Sequence, residues 1–257
     1  MSNDNHDSHT KIKKTGVEVS IVLPACNEAN KIENALNQTK DLLSSITSSF
    51  EIIIAEDGCT DKTDVISSEL ANRYEYVKHL HSEKRLGRGK ALKQAFSIAR
   101  GEILVYIDVD LATDMGHLKE LIEAIRGGYD LATGSRMLRQ SDVKRPAKRE
   151  IASKGFNFLV RIILRSKIRD HQCGFKSFKR DALFDMMDEV RDNHWFWDTE
   201  TLVRAQRKGY RIKEFPVRWR HGTNTKVKPK DVFDMGIQVI RLWLDLRRDG
   251  KKHGKGR

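Results

Sequence analysis

From about residue 17 to residue 136 the chain trades short β-branched apolar runs with segments of helical period. Each apolar run stops at polar residues. "VEVSIVLP" ends at Pro24, a helical pattern follows over about 29–43, and "FEIIIAEDG" is a second buried strand closed by turn residues. A helix over 61–73, a strand over 76–80, a helix over 89–100 and the strand "EILVYID" continue the series. Such alternation predicts a mainly parallel sheet covered by helices, with its ligand site at the carboxyl ends of the strands. Glu56 and Asp57 end one strand, Asp108 and Asp110 a second, and "LATGSR" closes a third at Arg136, so three polar clusters converge on one edge.

"YIDVDLAT" (106–113) sets Asp108 and Asp110 one residue apart after the run 103–107. In a strand that spacing points both side chains to one face, where two negative charges need a cation or proton between them. A pair of oxygen donors at a strand end suits Mg²⁺ or Mn²⁺ bridging to substrate phosphates. Two solvated turn aspartates are the plain alternative. "EDGCTDKTD" offers acceptors for a nucleobase or ribose, or equally an N-cap at Thr60 or Asp61. "EKRLGRGKA" places Gly87 and Gly89 among Lys84, Arg85, Arg88 and Lys90 where a helix opens, a setting that favours phosphate. It lacks the full P-loop pattern, which disfavours nucleotide triphosphatase chemistry.

The second half is less regular. "KGFNFLVRIILR" (154–165) precedes a loop-like "DHQCGFKSF", a helix near 181–190, "WFWDTETLVRAQRKGY", the strand "RIKEFPVRW" and a last apolar helix over about 232–246. The organisation expected is a polar, disordered lead-in over 1–15, a catalytic domain over 16–228 with an amphipathic helix near 150–167, and an amphipathic helix with a basic tail over 229–257. Lys and Arg outnumber Asp and Glu 48 to 36, a net charge of +12 with a pI near 9.6, so an anionic partner is expected. A basic module binding nucleic acid would share that charge, but the paired strand-end carboxylates would repel its phosphates unless metal intervened, so nucleic acid is not the expected ligand. Cys26, Cys59 and Cys173 form no zinc-type spacing, which suits a reducing compartment. No apolar run reaches the ~18 residues of a spanning helix. The 154–167 segment and the last helix, carrying Val232, Phe233, Ile237, Ile240, Trp243 and Leu244, instead fit either an anionic lipid surface or ordinary packing.

Eight motifs in order, "VSIVLPACNEANKIENAL", "IIIAEDGCTDKT", "RLGRGKAL", "ILVYIDVDL", "LATGSR", "DHQCGFKSFKRDAL", "WDTETLVRA" and "TKV", resemble family 2 inverting glycosyltransferases of the GT-A fold. Within that family the chain is similar to the dolichyl-phosphate glucose and mannose synthases over about 17–227. The resemblance implies an α/β GT-A domain that moves a hexose from a nucleotide diphosphate sugar to a polyprenyl phosphate. UDP-glucose is favoured, with GDP-mannose or a UDP-N-acetylhexosamine behind it. Pro24, Asn27, Glu28, Glu56, Asp57, Lys90 and Val109 match donor-binding positions, and Asp108 and Asp110 the metal-binding pair. Arg136, Arg149, Ser153, Arg220 and Lys226 match the acceptor and diphosphate clamp, and Glu200 in "WDTE" a group that orients sugar hydroxyls, steadies that clamp or simply makes an ion pair. Asp110, Arg136, Arg149 and Glu200 are the catalytic candidates. Two departures stand out: Glu56 where Asp is usual, and Ala112 where mannose synthases offer Gln near the metal, which counts against a third protein ligand and a close match to the mannose enzymes; "DHQCGFK" and "WDTE" are closer to the glucose branch. The implied setting is peripheral, at the cytoplasmic face of a membrane, with room for a membrane-anchored partner. A family 2 enzyme acting on a saccharide or protein is the alternative.

Overall fold

The computed structural model describes residues 16–220 and 229–253. Seven strands form one sheet in the order β3-β2-β1-β4-β7-β5-β8: β1 Val19–Ala25, β2 Phe50–Glu56, β3 Val77–Leu80, β4 Ile103–Ile107, β5 Leu131–Ser135, β7 Phe175–Lys179 and β8 Ile212–Pro216. All neighbours run parallel except β7, which pairs antiparallel with both β4 and β5. A small parallel pair, β6 Asp142–Lys144 and β9 Arg218–Arg220, lies outside this sheet.

Pleating sorts the core into two layers. Val19, Ile21 and Leu23 of β1 join Ile52, Ile54 and Val105 under α1 (Ile32–Ile46) and α4 (Leu118–Arg126). Val22, Ile53, Leu104 and Tyr106 face α3 (Arg88–Ile98), α6 (Arg180–Met187) and α7 (Trp197–Arg207) on the other side. α1 buries Ile32, Ala35, Leu36, Thr39 and Leu43, the stripe of a helix lying on a sheet, and α2 (Thr63–Arg73) packs beside it. A third cluster joins α5 (Ala147–Ile163) to α7 and α8 (Pro229–His253) through Val160, Leu164, Phe196, Val203, Met235, Val239 and Leu242.

The expected elements are present, with boundaries moved by a few residues; α4, β6 and β7 are additions, and the strand read over "RIKEFPVRW" divides into β8 and β9. "DHQCGFKSF", read as loop-like, contains β7 in the middle of the sheet. Its strand is short, and a buried Lys176 between Phe175 and Ser177 breaks the apolar run that would have marked it. The final helix is longer than the 232–246 read from the sequence, and α8 docks on α5 and α7 through the third cluster. No helix among the described residues is long and apolar enough to cross a membrane.

The chain leaves β1 for β2 and β3 on one side and returns to β4 on the other. The switch point therefore lies between β1 and β4, and the crevice opens beyond their carboxyl ends. At the opposite edge Glu51 is buried and accepts Ser20 Oγ at 2.7 Å, Arg100 N at 2.5 Å and Arg100 Nε at 2.9 Å, with Lys78 Nζ at 2.8 Å. Burial alone would raise its carboxyl pKa, but these donors hold it below the ordinary 4.5. Its stabilisation is therefore complete above pH 4.5 and is lost as pH falls through the lower folded-state value. Glu51→Gln is expected to cost about 2–4 kcal/mol at pH 7, and the difference from the parent should shrink on acidification in urea titrations.

Candidate active site

The loops after β1 and β2 are sewn together at the crevice rim. Asp57 N donates to Ala25 O at 3.0 Å, Asn27 Oδ1 accepts Thr60 N at 2.7 Å, and Glu28 N donates to Thr63 Oγ1 at 2.8 Å. Asn27 sits at φ 54°, a left-handed turn that its short amide tolerates. Asp61 accepts Thr63 N and Ala29 N, both at 3.1 Å, in the turn before α2, but the residue at the helix cap is Lys62, so neither Thr60 nor Asp61 is the N-cap read from the sequence. Asp57 accepts Leu86 N at 2.5 Å and Gly87 N at 3.0 Å, thereby fixing the start of α3. Gly87 has φ 101°, and a Cβ there would lie 2.3 Å from His194 Nδ1, so only glycine fits. Pro24 lies near the end of β1, and Lys90 stands exposed on the first turn of α3.

Asp108 and Asp110 lie in a turn just past β4, not on the strand face that their spacing predicted. Leu111 N closes the turn on Asp108 O at 3.0 Å, Asp110 Oδ1 accepts Ala112 N at 3.1 Å, and Val109 between them is buried in the core. Arg88 Nη2 meets Asp108 Oδ1 at 2.5 Å and Arg88 Nη1 lies 3.5 Å from Asp198. Burial at the crevice floor, and then Asp110, lifts the Asp108 carboxyl above its usual range although Arg88 pulls it down and 43% of the side chain stays open. A Cβ on Gly174 would fall 1.9 Å from Asp108 Oδ2, and Asp108 N donates to Gly174 O at 3.0 Å. The carboxylate therefore rests on bare β7-loop backbone.

Two cation sets are possible from the donors present. Asp108 and Asp110 supply hard carboxylate oxygens, the chemistry of Mg²⁺ and Mn²⁺. Glu56, His79 and His81 place ligand atoms within 4.8 Å of one another, with Glu56 already engaged by His81 Nδ1 at 2.5 Å and Cys59 N at 2.6 Å.

Arg136 is held by Asp170 in a fork, Nε to Oδ2 at 2.7 Å and Nη2 to Oδ1 at 2.9 Å, and lies over the Trp219 ring. Burial opposes both charges, yet the pairing holds Asp170 well below and Arg136 well above their ordinary values. Arg145, which the motifs did not mark, lies in the field of Arg136, Asp170 and Arg149, and its buried Nε has no hydrogen-bond partner. Burial and Arg136 lower its pKa. Arg149 and Ser153 occupy successive turns of α5 on the side of Asn157, whose Oδ1 accepts His171 N at 2.9 Å. His171 is buried between Asn157 and Ser166, and burial pushes its pKa down to about 3, so it is a neutral structural histidine. Arg220 N donates to Ala112 O at 2.8 Å, placing β9 beside the acidic turn, while its guanidinium pairs with Asp142. Lys226 lies outside the described residues.

Glu200 is fully buried and faces away from Asp108. Its oxygens take Arg204 Nη2 at 2.9 Å, Arg241 Nη2 at 2.8 Å and Asp192 N at 3.0 Å, tying α7 to α8. Two residues earlier, Asp198 faces the crevice network instead: Lys176 Nζ lies 3.0 Å away and the Tyr106 hydroxyl donates to Asp198 Oδ1. Burial raises Asp198 to about 7 and lowers Lys176 to about 7. Lys176 and Gly174 lie inside quoted motifs but gain a role only from three-dimensional placement, while Arg88, read beside a phosphate-favouring helix start, and Asp198, read with Glu200 as a group near sugar or clamp, instead pair with Asp108 and Lys176.

These features can be set beside known proteins. The glycosyl transferase family 2 model matches residues 20–186. Glycosyltransferase AglD of Haloferax volcanii is 54% identical over 235 residues, 90% of this chain and 38% of that protein. Dolichyl-phosphate beta-glucosyltransferase ALG5D of Trichomonas vaginalis is 31% identical over 252 residues, 93% of this chain and 77% of that one. Glucosyl-3-phosphoglycerate synthase of Mycobacterium tuberculosis, solved with Mn²⁺, UDP and glucosyl-3-phosphoglycerate, superposes with a TM-score of 0.63 at 20% identity, covering 90% of this chain and 80% of that one. The architecture is thus that of a GT-A α/β domain. The chain belongs to glycosyl transferase family 2 and is related to the dolichyl-phosphate glucosyltransferases, while spanning well under half the length of AglD.

Lys176→Met would leave Asp198 buried with one cation fewer. It is expected to destabilise the fold by about 3 kcal/mol, read as a lower denaturation midpoint at unchanged slope.

Proposed function

We propose that this chain transfers a hexose, glucose from UDP-glucose in the first instance, to a polyprenyl phosphate with inversion at the anomeric carbon. The observation that carries the acceptor is the two-sidedness of α5. Its inner side bears Arg149, Ser153 and Asn157 toward the Arg136–Asp170 pair, while Ile151, Phe158 and Ile162 stand exposed roughly 160° around the axis. One helix thereby borders both an anion-binding crevice and an apolar surface, as a lipid bearing a phosphate requires. The kinship with dolichyl-phosphate beta-glucosyltransferases supports the same substrate pair.

Donor binding is assigned to the switch-point rim, with Pro24, Asn27 and Glu28 beside the nucleoside. Glu56 and Asp57 shape that rim: Asp57 through the 86–87 amides and Glu56 through Cys59 and His81. Lys90 flanks the diphosphate with its side chain, and Val109, whose side chain is buried in the core, with its backbone. Asp108 and Asp110 fit a Mg²⁺ or Mn²⁺ ion, because two carboxylates close enough to repel each other share one turn, and among the described residues only Arg88 makes an ion pair with Asp108. A divalent ion bound there would stabilise the charge developing on the leaving diphosphate.

The acceptor phosphate is already an anion at neutral pH, so the chain needs no general base. Arg136 retains one guanidinium nitrogen beyond its Asp170 fork, and Arg145, Arg149, Ser153, Arg220 and Lys226 complete the proposed clamp that holds the phosphate oxygen opposite the leaving group. Glu200 acts at one remove, fixing α8 against α7. The setting proposed is peripheral, at the cytoplasmic face, with or without a membrane-anchored partner.

Incubation with UDP-[¹⁴C]glucose, Mn²⁺ and a short polyprenyl phosphate should move label into organic solvent; label confined to water-soluble saccharide or to protein would replace the lipid by another acceptor. Asp108→Asn and Asp110→Asn should each lower kcat at least ~100-fold, and retention of full activity in either would remove the pair from the mechanism. Phe158→Gln with Ile162→Gln should raise KM for vesicle-embedded acceptor ~10-fold or more and leave a water-soluble short-chain acceptor little affected.

A further inference from the structure

A cavity of about 190 Å³ lies where α5, α7 and α8 meet, lined by Ile163, Arg165, Arg207, Trp243, Leu246 and Arg247. It is at the opposite end of α7 from Asp198, about 13 Å along the axis, so it is separate from the crevice. We propose that this cavity binds the phosphate of an anionic membrane phospholipid. The proposal rests on the membrane-facing reading of α5 and α8 and names the chemistry of their lipid contact.

Four observations converge on it. First, the cavity combines three arginines with an aliphatic and indole floor, and no carboxylate among the described residues pairs with Arg165, Arg207 or Arg247. The one hydrogen bond from their guanidiniums among the described residues runs from Arg207 Nη2 to Leu164 O at 3.3 Å. Second, exposed apolar rows lead to it. Phe158 and Ile162 on α5 run toward Arg165, and Phe233, Ile237, Ile240 and Leu244 on α8 run at helical spacing toward Arg247. Phe158 is 63% and Phe233 71% exposed, an apolar surface that acyl chains suit.

Third, Arg247 stacks on Trp243 at 3.8 Å, the pairing of amphipathic ring and cation found at lipid–water boundaries. Fourth, α5 ends with Arg165 at φ 54°, the left-handed position just past a helix terminus where glycine costs least. A charged side chain stands there despite the strain. A phosphodiester accepts the planar forks of several arginines at once while its glycerol and chains lie over the apolar rows. A soluble anion would use the arginines and leave those rows uncovered, so the lipid is the occupant that accounts for both.

The test is flotation with phosphatidylcholine vesicles, with and without phosphatidylglycerol, of the whole chain and of the Arg165→Gln/Arg207→Gln/Arg247→Gln variant. Lys40→Gln/Lys62→Gln/Lys119→Gln, which removes equal charge from other faces, is the control. The arginine variant should lose roughly 100-fold in partitioning to the anionic vesicles, the lysine control far less, and both should match the parent on phosphatidylcholine alone. Equal losses in the two variants would reduce the effect to net charge and overturn the site. So would displacement of the parent by millimolar inorganic phosphate at constant ionic strength, which would assign the cavity to a free anion. Transfer to detergent-dispersed polyprenyl phosphate should be unchanged in the arginine variant; its loss would place the arginines in the acceptor site and overturn a separate lipid site. Failure of the parent itself to glycosylate polyprenyl phosphate would defeat the proposed reaction, while flotation would still report on the cavity.

Discussion

Everything at the crevice depends on one buried line of charge that runs Lys176, Asp198, Arg88, Asp108. Each member comes from a different element: Lys176 from β7, Asp198 from α7, Arg88 from the first turn of α3, and Asp108 from the end of β4. Taking three of these groups, Lys176, Asp198 and Arg88, largely out of water is unfavourable unless each is matched, and here each interior member touches two opposite partners. Tyr106 adds its hydroxyl to Asp198 and its ring to Arg88 and Lys176 at 5.2 and 5.7 Å. The line ends at the one member that is open to solvent, Asp108. The same contacts tie the acidic turn to α3, α7 and β7, and a ligand that drew Arg88 from Asp108 would act on all of them.

Glycine placement follows from that line. Asp108 can sit over the 173–175 backbone only because Gly174 has no side chain, and α3 can start close enough for Arg88 to reach it only because Gly87 and Gly89 yield space to His194 and Trp197. The glycines in "RLGRGKA" thus serve close approach of α3 to α7 as well as any phosphate at the helix start. Asp57, spending both oxygens on amides 86 and 87, connects the rim after β2 to the same helix.

The parallel half of the sheet was readable because β1, β2 and β4 are continuous apolar runs bounded by turn residues, with periodic helices between them. The rim clusters were readable for the same reason: a strand's end is where its polar residues appear. What escaped reading depends on partners remote in sequence. β7 is short and carries a lysine whose burial makes sense only beside Asp198, and the two-residue spacing of Asp108 and Asp110 implied a shared face that holds for a strand but not for the turn actually formed. Asp198 and Glu200 are near neighbours on α7 yet lie on opposed sides, so "WDTE" could not say which carboxylate meets the crevice. Arg145 had no motif, and its relation to Arg136 arises from β6 and the turn into α5.

The basic excess of the chain also divides once the fold is known. Arg88 and Lys176 are consumed inside, Arg136 is pinned by Asp170, and Arg241 and Arg204 hold Glu200. Their charges do structural service before any ligand arrives. The arginines left without carboxylate partners among the described residues include those around the cavity at the α5–α8 end, next to the exposed phenylalanines and isoleucines. Charge that is neutralised internally cannot attract an anion from a distance, whereas charge left bare beside apolar surface acts on exactly the kind of interface where phosphate and hydrocarbon meet. α5 lies between these two regimes, with its inward residues in the field of the pinned arginines and its outward residues in the apolar rows, and the proposed lipid-phosphate acceptor rests on that division.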